Sequence, residues 1–199
     1  MSDGEIDLRS ALAARGALLD GHFRLSSGRH SDRFVQKFRI LEDPALLEPV
    51  ARAIADPFRS LEPSVVVGAA VGGILLAYEV ARQLGTKAIF VEKEGGVPML
   101  RRGFTLVPQD RALIVEDVVT TGLSIGETIA VVRRSGAAVA GLGVIVSRGH
   151  SVTALRAGAG DANLAVNVLL DFPLESFDEA ECPMCRAGQP LADPGSRRS

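Results

Sequence analysis

Between residues 64 and 171, short and almost wholly apolar runs alternate with longer segments whose apolar residues recur at helical spacing. Continuous branched runs suit strands covered on both faces, and their alternation with helices suits a parallel sheet. Strands are predicted over 65–67, 88–91, 112–115, 139–146 and 164–170. Helices are predicted over 72–84 and 124–135, with Gly85 and Gly136 as their stops. Ahead of this region come a helical stretch over 6–15, a segment rich in Gly and Ser, and a helix over 44–59 with Pro44 in its first turn. They read as a small hood on the main sheet. Beyond Phe172 the pattern turns irregular, and residues 192–199 carry Pro, Gly, Ser and Arg without an apolar period, which predicts a frayed tail. The expected class is α/β, divided into a hood (1–43), a core (44–181) and a tail (182–199).

A chain of 199 residues that is 47% hydrophobic and 23% charged is large enough and apolar enough for one main core. Its 22 basic and 24 acidic residues give a net charge of -2, so no general attraction to nucleic acid or to an anionic membrane is expected. Any anion site must be local. No apolar run reaches the roughly 18 residues that span a bilayer, and residues 1–10 are acidic and polar where a signal peptide is basic and then apolar. Cytoplasmic residence is the expectation. Both cysteines, Cys182 and Cys185, sit in one short run, which suits a reducing compartment and not a disulfide scaffold.

The run 112–124 carries the most specific chemistry. A buried strand leads directly into Glu116 and Asp117, then through Val118 and Val119 into Thr120, Thr121, Gly122, Leu123 and Ser124 at the start of a helix. Ligands of open parallel sheets bind at the carboxyl ends of the strands, where the two carboxylates can accept hydrogen bonds from neighbouring sugar hydroxyls. The hydroxyl-bearing turn suits a phosphate, because Gly122 permits close backbone approach and the helix start presents free N–H groups. An isolated Glu-Asp pair after a strand is more often a solvated turn. A second turn, Gly68-Ala69-Ala70-Val71-Gly72-Gly73, also follows a strand and opens a helix, so its N–H groups can form an anion-binding nest. Alone, such a turn more often serves packing.

The full run from Ala112 to Ser124 resembles the phosphoribosyl pyrophosphate (PRPP) signature of type I phosphoribosyltransferases, matching it at every position. The resemblance implies that Glu116 and Asp117 bind the ribose hydroxyls and that Thr120 to Ser124 hold the 5'-phosphate. It also implies that the turn at Ala69, Ala70, Val71, Gly72 and Gly73 grips pyrophosphate. The N-terminal run from Gly16 to Ser31 is similar to that of orotate phosphoribosyltransferases, whose Ser-Gly-Arg-x-Ser segment folds over the base. That nominates Ser27, Gly28, Arg29, Ser31 and Phe34. Many members have Lys where this chain has Ser26, so the role of that cation falls to another residue, with Lys37 as a candidate. Arg148, at the end of another strand, is a planar donor suited to the carboxylate of orotate, and the family places an orotate-binding Arg there.

Residues 94–103 hold three glycines and two adjacent cations with little period, and they read as a mobile lid. Family members use basic residues of this loop on pyrophosphate, often in the neighbouring subunit of a homodimer. Arg101 and Arg102 are the candidates by residue type, and Lys93 matches a family pyrophosphate-binding Lys. His22, His30 and His150 show no metal-ligand spacing and are expected to be structural or solvated. Cys182 and Cys185 have the spacing of half a zinc site or a redox pair, but packing or exposure is expected, leaving a zinc shared across a dimer open. The expected activity converts orotate and PRPP to orotidine 5'-monophosphate and pyrophosphate with Mg2+, which is held mainly by pyrophosphate and ribose oxygens with help from water and the carboxylates, and no residue is assigned as a direct metal ligand. The alternatives are a purine or uracil transferase and a PRPP-binding regulatory protein of the same fold. Against the regulator, residues 1–15 are too few for a helix-turn-helix domain.

Overall fold

A computed structural model describes residues 7–25 and 27–194. Ser26, residues 1–6 and residues 195–199, on which some of the sequence expectations fall, lie outside the described residues.

The main sheet has six strands: β3 (Val65–Ala69), β4 (Lys87–Glu94), β5 (Val97–Leu100), β6 (Arg111–Val119), β7 (Ala138–Ser147) and β8 (Val166–Asp171). They lie in the order β5-β4-β3-β6-β7-β8 and pair in parallel, except that β5 runs antiparallel to β4 at the edge. From β3 the chain crosses through α4 (Gly72–Leu84) to β4 on one side, and from β6 it crosses through α5 (Leu123–Arg134) to β7 on the other. The carboxyl ends of β3 and β6 therefore flank the point where the winding reverses, the usual ligand position in open α/β sheets.

The pleat divides the core. Along β3 and β6, Val66, Leu113 and Val115 join the cluster packed by α4 and by α3 (Pro44–Ala55), whereas Val65, Val67, Ala112 and Ile114 join the cluster packed by α5 and by α6 (Val152–Ala159). All these strand residues are at most 1% exposed, which explains why their runs are continuously apolar. The α3 layer lies close on β7: a Cβ on Gly143 would come within 2.5 Å of Ile54 Cγ2.

The hood has more strand than its sequence predicts. Its first helix, α1 (Leu8–Ala14), is capped by the Asp7 carboxylate, which accepts from the Ser10 N–H at 3.1 Å. An antiparallel hairpin follows, β1 (Leu18–Arg24) with β2 (His30–Val35), where the sequence suggested only a Gly- and Ser-rich segment. A register irregularity between Asp20 and Phe23 breaks the alternation that would reveal β1. A single turn, α2 (Phe38–Leu41), leads to α3, whose Pro44 is in its first turn and whose Asp43 side chain accepts from the Ala45 N–H at 3.0 Å. The predicted 44–59 helix is α-helical only to Ala55 and continues as a 3-10 segment, Asp56–Leu61, with Pro57 near its start. Asp56 keeps α geometry, with φ -56° and ψ -43°, but Pro57 has no N–H to give to the helix, which marks the change.

The stretch expected as a lid without regular structure contains a hairpin. Gly95 and Gly96, at φ 57° and 84°, form the two-residue turn between β4 and β5. Two consecutive positive φ values match the twist of a tight hairpin, a demand glycine meets without strain. The tail is also tied down at its start. Ala192 donates its N–H to the His22 carbonyl at 2.8 Å, and its own carbonyl accepts from the Arg24 N–H at 2.9 Å. Ahead of it lie a 3-10 turn (Glu179–Glu181) and α7 (Pro183–Arg186).

Candidate active site

Strand β6 carries Glu116 and Asp117 to the sheet edge, 6% and 1% exposed. Lys37, just before α2, brings its Nζ to 2.9 Å from Asp117 Oδ2 and hydrogen-bonds Oδ1 at 3.3 Å. The Val118 N–H donates to Asp117 Oδ1 at 2.6 Å, and the Ser124 hydroxyl donates to Glu116 Oε2. Burial, followed by the adjacent Asp117 charge, pushes the Glu116 carboxyl up to about 7, while Ser124 and Lys37 oppose the shift. Two carboxylates so close under partial burial disfavour ionising together.

The two sequence-predicted turns meet here. Gly72 opens α4 so close to the carboxylate that a Cβ on it would stand 1.8 Å from Asp117 Oδ2 and 3.1 Å from Lys37 Nζ. Gly68 faces Gly73 across the same turn, where a Cβ would lie 2.2 Å from the Gly73 carbonyl oxygen. The glycines are thus required by backbone and carboxylate contacts, and the turn packs as well as exposing its Ala70 and Val71 tip. The Ala70–Val71 peptide is cis. On the β6 side, Gly122 at φ 75° is the N-cap of α5, and the Thr120 and Thr121 side chains stay exposed at the mouth. A cleft of about 580 Å³ joins the turns, lined by Ala69, Ala70, Val71, Lys93, Thr121, Leu123 and Ser124 among others.

Arg148 follows β7 at the same edge, its N–H donating to the Val119 carbonyl at 3.0 Å. Its Nε is buried and makes no hydrogen bond, and burial lowers the guanidinium pKa. Nearby, His150 Nε2 contacts the Thr120 carbonyl, and its backbone N–H is held by the Ser147 hydroxyl at 3.0 Å.

Other predicted residues are engaged elsewhere. Lys93 reaches the cleft but pairs with Glu127 at 2.7 Å. Arg101 pairs with Glu94 at 2.8 Å and Arg102 with Glu92 at 3.0 Å, so both rest on the hairpin. In the hood, Arg29 binds the Ser176 carbonyl at 2.6 Å, the Ser176 hydroxyl at 3.0 Å and Asp178 at 2.6 Å. The Ser31 hydroxyl donates to the Glu175 carbonyl at 2.7 Å, and Phe34 packs on Phe23 with ring centroids 5.7 Å apart. Ser27 and Gly28 lie exposed in the β1–β2 turn. Arg29 and Ser31 therefore anchor the hairpin on the C-terminal segment.

Lys37, which the sequence offered for the role of the cation missing at Ser26, pairs with Asp117. One expectation needs correction. His22 and His30 are not scattered, because the hairpin gathers both against Cys182 and Cys185. Sequence spacing hid this cluster, since its halves lie more than 150 residues apart and the hairpin joining the histidines was not foreseen.

Comparison with known proteins decides among ligands of this fold. Residues 38–163 match the family model for the phosphoribosyl transferase domain. The orotate phosphoribosyltransferase of Pelotomaculum thermopropionicum is 46% identical over 92% of this chain and 93% of its own length. The chain belongs to the orotate phosphoribosyltransferase family. Another relative, the orotate phosphoribosyltransferase of Thermotoga petrophila, is 41% identical over 96% of this chain and 98% of its own. Among solved structures, that of orotate phosphoribosyltransferase from Aeropyrum pernix superposes with a TM-score of 0.66 at 28% identity, covering 83% of this chain and 93% of the other. The enzyme thus has the type I phosphoribosyltransferase fold, and the doublet and its two turns occupy the switch point of its sheet.

Proposed function

We propose that the enzyme transfers the phosphoribosyl group of PRPP to N1 of orotate, giving orotidine 5'-monophosphate and pyrophosphate, a step that forms a pyrimidine nucleotide. The observation that carries this reading is the buried Glu116–Asp117 doublet set between two glycine-bearing turns at one sheet edge. Glu116 and Asp117 accept hydrogen bonds from the ribose hydroxyls. The Thr120–Ser124 turn holds the 5'-phosphate with its hydroxyls, its N–H groups and the positive end of α5. The turn at Ala69–Gly73 takes the pyrophosphate, and Lys37, released from Asp117 or shared with it, supplies the cation that Ser26 does not.

The doublet is a hard oxygen donor set, and Asp117 Oδ2, ion-paired but without a hydrogen bond, is suited to help hold a divalent ion. Mg2+, when bound, draws charge from the pyrophosphate oxygens and makes them a better leaving group. The residues do the rest by orientation and charge. Arg148 receives the orotate carboxylate, and the hood residues Ser27, Gly28, Arg29, Ser31 and Phe34 shape the base pocket, Arg29 and Ser31 through their hold on residues 175–178. As the bond from C1' to pyrophosphate breaks, Lys93, Arg101 and Arg102 stabilise the departing charge, the arginines by leaving their hairpin carboxylates. No covalent enzyme intermediate is needed.

The proposed division into hood (1–43), core (44–181) and tail (182–199) follows most of these duties, the hood shaping the base pocket and the core holding the sugar phosphate, while Arg148 of the core and Lys37 of the hood work across the boundary. A homodimer is the proposed assembly, supported by the apolar Leu75 and Tyr78, which are 50% and 67% exposed on α4. The cytoplasm is the proposed compartment, in keeping with two free cysteines. Among the described residues no helix is long and apolar enough to cross a membrane.

A screen of bases with PRPP and Mg2+ tests the function. Consumption of orotate with release of pyrophosphate is expected, and adenine, hypoxanthine, guanine and uracil should turn over at least about 100-fold more slowly, because they offer Arg148 no carboxylate. Preferential turnover of any of those four would overturn the choice of base.

A further inference from the structure

The His and Cys side chains gathered under the hood form a cluster that the transfer reaction does not use. His22 stands on β1 and His30 on β2, while Cys182 precedes α7 and Cys185 lies within it. Three of the four are buried, and His22 Nε2, His30 Nδ1 and the two Sγ atoms all lie within 4.8 Å of one another. His22 Nε2 is 3.0 Å from His30 Nδ1, 3.6 Å from Cys182 Sγ and 3.7 Å from Cys185 Sγ, and Cys185 Sγ is 3.2 Å from His30 Nδ1. In a regular tetrahedron with ordinary zinc bond lengths, the nitrogens stand about 3.3 Å apart and each nitrogen about 3.6 Å from each sulfur. These four separations match the tetrahedron to within about half an ångström, and the remaining pairs of ligand atoms lie within 4.8 Å.

We propose that His22, His30, Cys182 and Cys185 bind one zinc ion as a closed structural site. Two imidazoles and two thiolates are a known structural zinc set, and the tetrahedral S₂N₂ arrangement selects zinc over magnesium or calcium, which take oxygen ligands. Charge supports the assignment, because two thiolates neutralise a dication and the complex is stored under the hood without net charge. Binding forms two Zn–S and two Zn–N bonds and sends the two thiol protons to solvent, with no change of oxidation state. The outer contacts agree. His22 Nδ1 lies 3.0 Å from the Gln189 carbonyl oxygen, so it is the N–H donor there, and Nε2 keeps its lone pair for the metal. Without an ion, one proton between the two rings satisfies the 3.0 Å contact but leaves both sulfurs converging on the same pair of nitrogens. Four protein ligands leave no open position, which separates this ion from the reaction. Its work is to staple the β1–β2 hairpin to the C-terminal segment beside the bridges Phe23–Ala192 and His30–Phe177, and so to fix the turn carrying Ser27 and Gly28.

The test is elemental analysis of the full-length protein purified in reductant without chelator. About one zinc per chain is expected, and replacement by Co2+ should give thiolate-to-cobalt charge-transfer bands and the visible absorption of a tetrahedral site. The doubly substituted variant Cys182→Ser/Cys185→Ser should lose the metal and those bands, whereas Asp117→Asn should keep both while losing turnover. Should the double variant fail to fold, chelation of the wild-type protein gives a second reading. Removal of the ion is expected to lower the melting temperature and to speed amide exchange in β1 and β2, with restoration by Zn2+ and not by Mg2+. A reduced, folded wild-type chain that carries no zinc and takes up neither Zn2+ nor Co2+ would overturn the proposal, as would metal retained by the double variant.

Discussion

Glu116 is where local chemistry makes its own pH signature. Its folded-state pKa of about 7 lies above the ordinary 4.5, so the folded protein favours the protonated carboxyl. The unfolded chain gives up that proton at lower pH, and stability from this group is fully present below about 4.5, declines as pH rises and levels off above about 7. Glu116→Gln imitates the protonated form. Denaturation of the ligand-free variant should show stability close to wild type at pH 4.5 and a relative gain that grows up to about pH 7. An unchanged difference between variant and wild type across that range would contradict the account. The residue types of this site were legible in the sequence because a strand, two acids and a Thr-Thr-Gly-x-Ser turn are contiguous. Lys37 was only half legible: nothing along the chain joins it to Asp117, which lies 80 residues away and is reached through the fold of the hood.

At the scale of elements, the β3–α4 turn must let backbone and carboxylate approach more closely than any side chain permits. Asp117 cannot move aside freely, being buried and held by Lys37 and the Val118 N–H. Gly72→Ala is therefore expected to destabilise the fold by about 1–3 kcal/mol through overpacking. It should also weaken PRPP binding more than an alanine at exposed Gly28 weakens it. Equilibrium denaturation and ligand titration check the two effects, and a Gly72→Ala protein with wild-type values in both would refute the close approach. Elements with a clear period were readable: four predicted core strands lie inside longer observed strands, the fifth overlaps β8, and Gly85 and Gly136 stand at the ends of α4 and α5. The hairpins were not. In β1 a register irregularity interrupts the alternation, and in β4–β5 the short edge strand Val97–Leu100 contains Pro98 and follows two glycines, a composition shared with loops.

The whole molecule brings four remote parts of the chain to one edge: the β3 turn, the β6 turn, the Arg148 strand end and the hood with Lys37. Parallel topology was legible from alternation of strand and helix, but strand order was not, because the reversal between β3 and β6 depends on long-range pairing. That reversal makes the edge concave and positions Glu116 and Asp117 between the turns. It also explains why the base-recognition run is remote in sequence, since the hood folds back over the edge from outside the sheet. Calorimetric titration of Mg2+ and PRPP into the wild-type chain and into Asp117→Asn tests the central claim most directly. The account predicts saturable binding at one site per chain for the wild type, and for the variant a weakening of about 10-fold or more with the melting temperature nearly kept. Absence of binding to the folded wild type, or equal affinity in the two proteins, would contradict it.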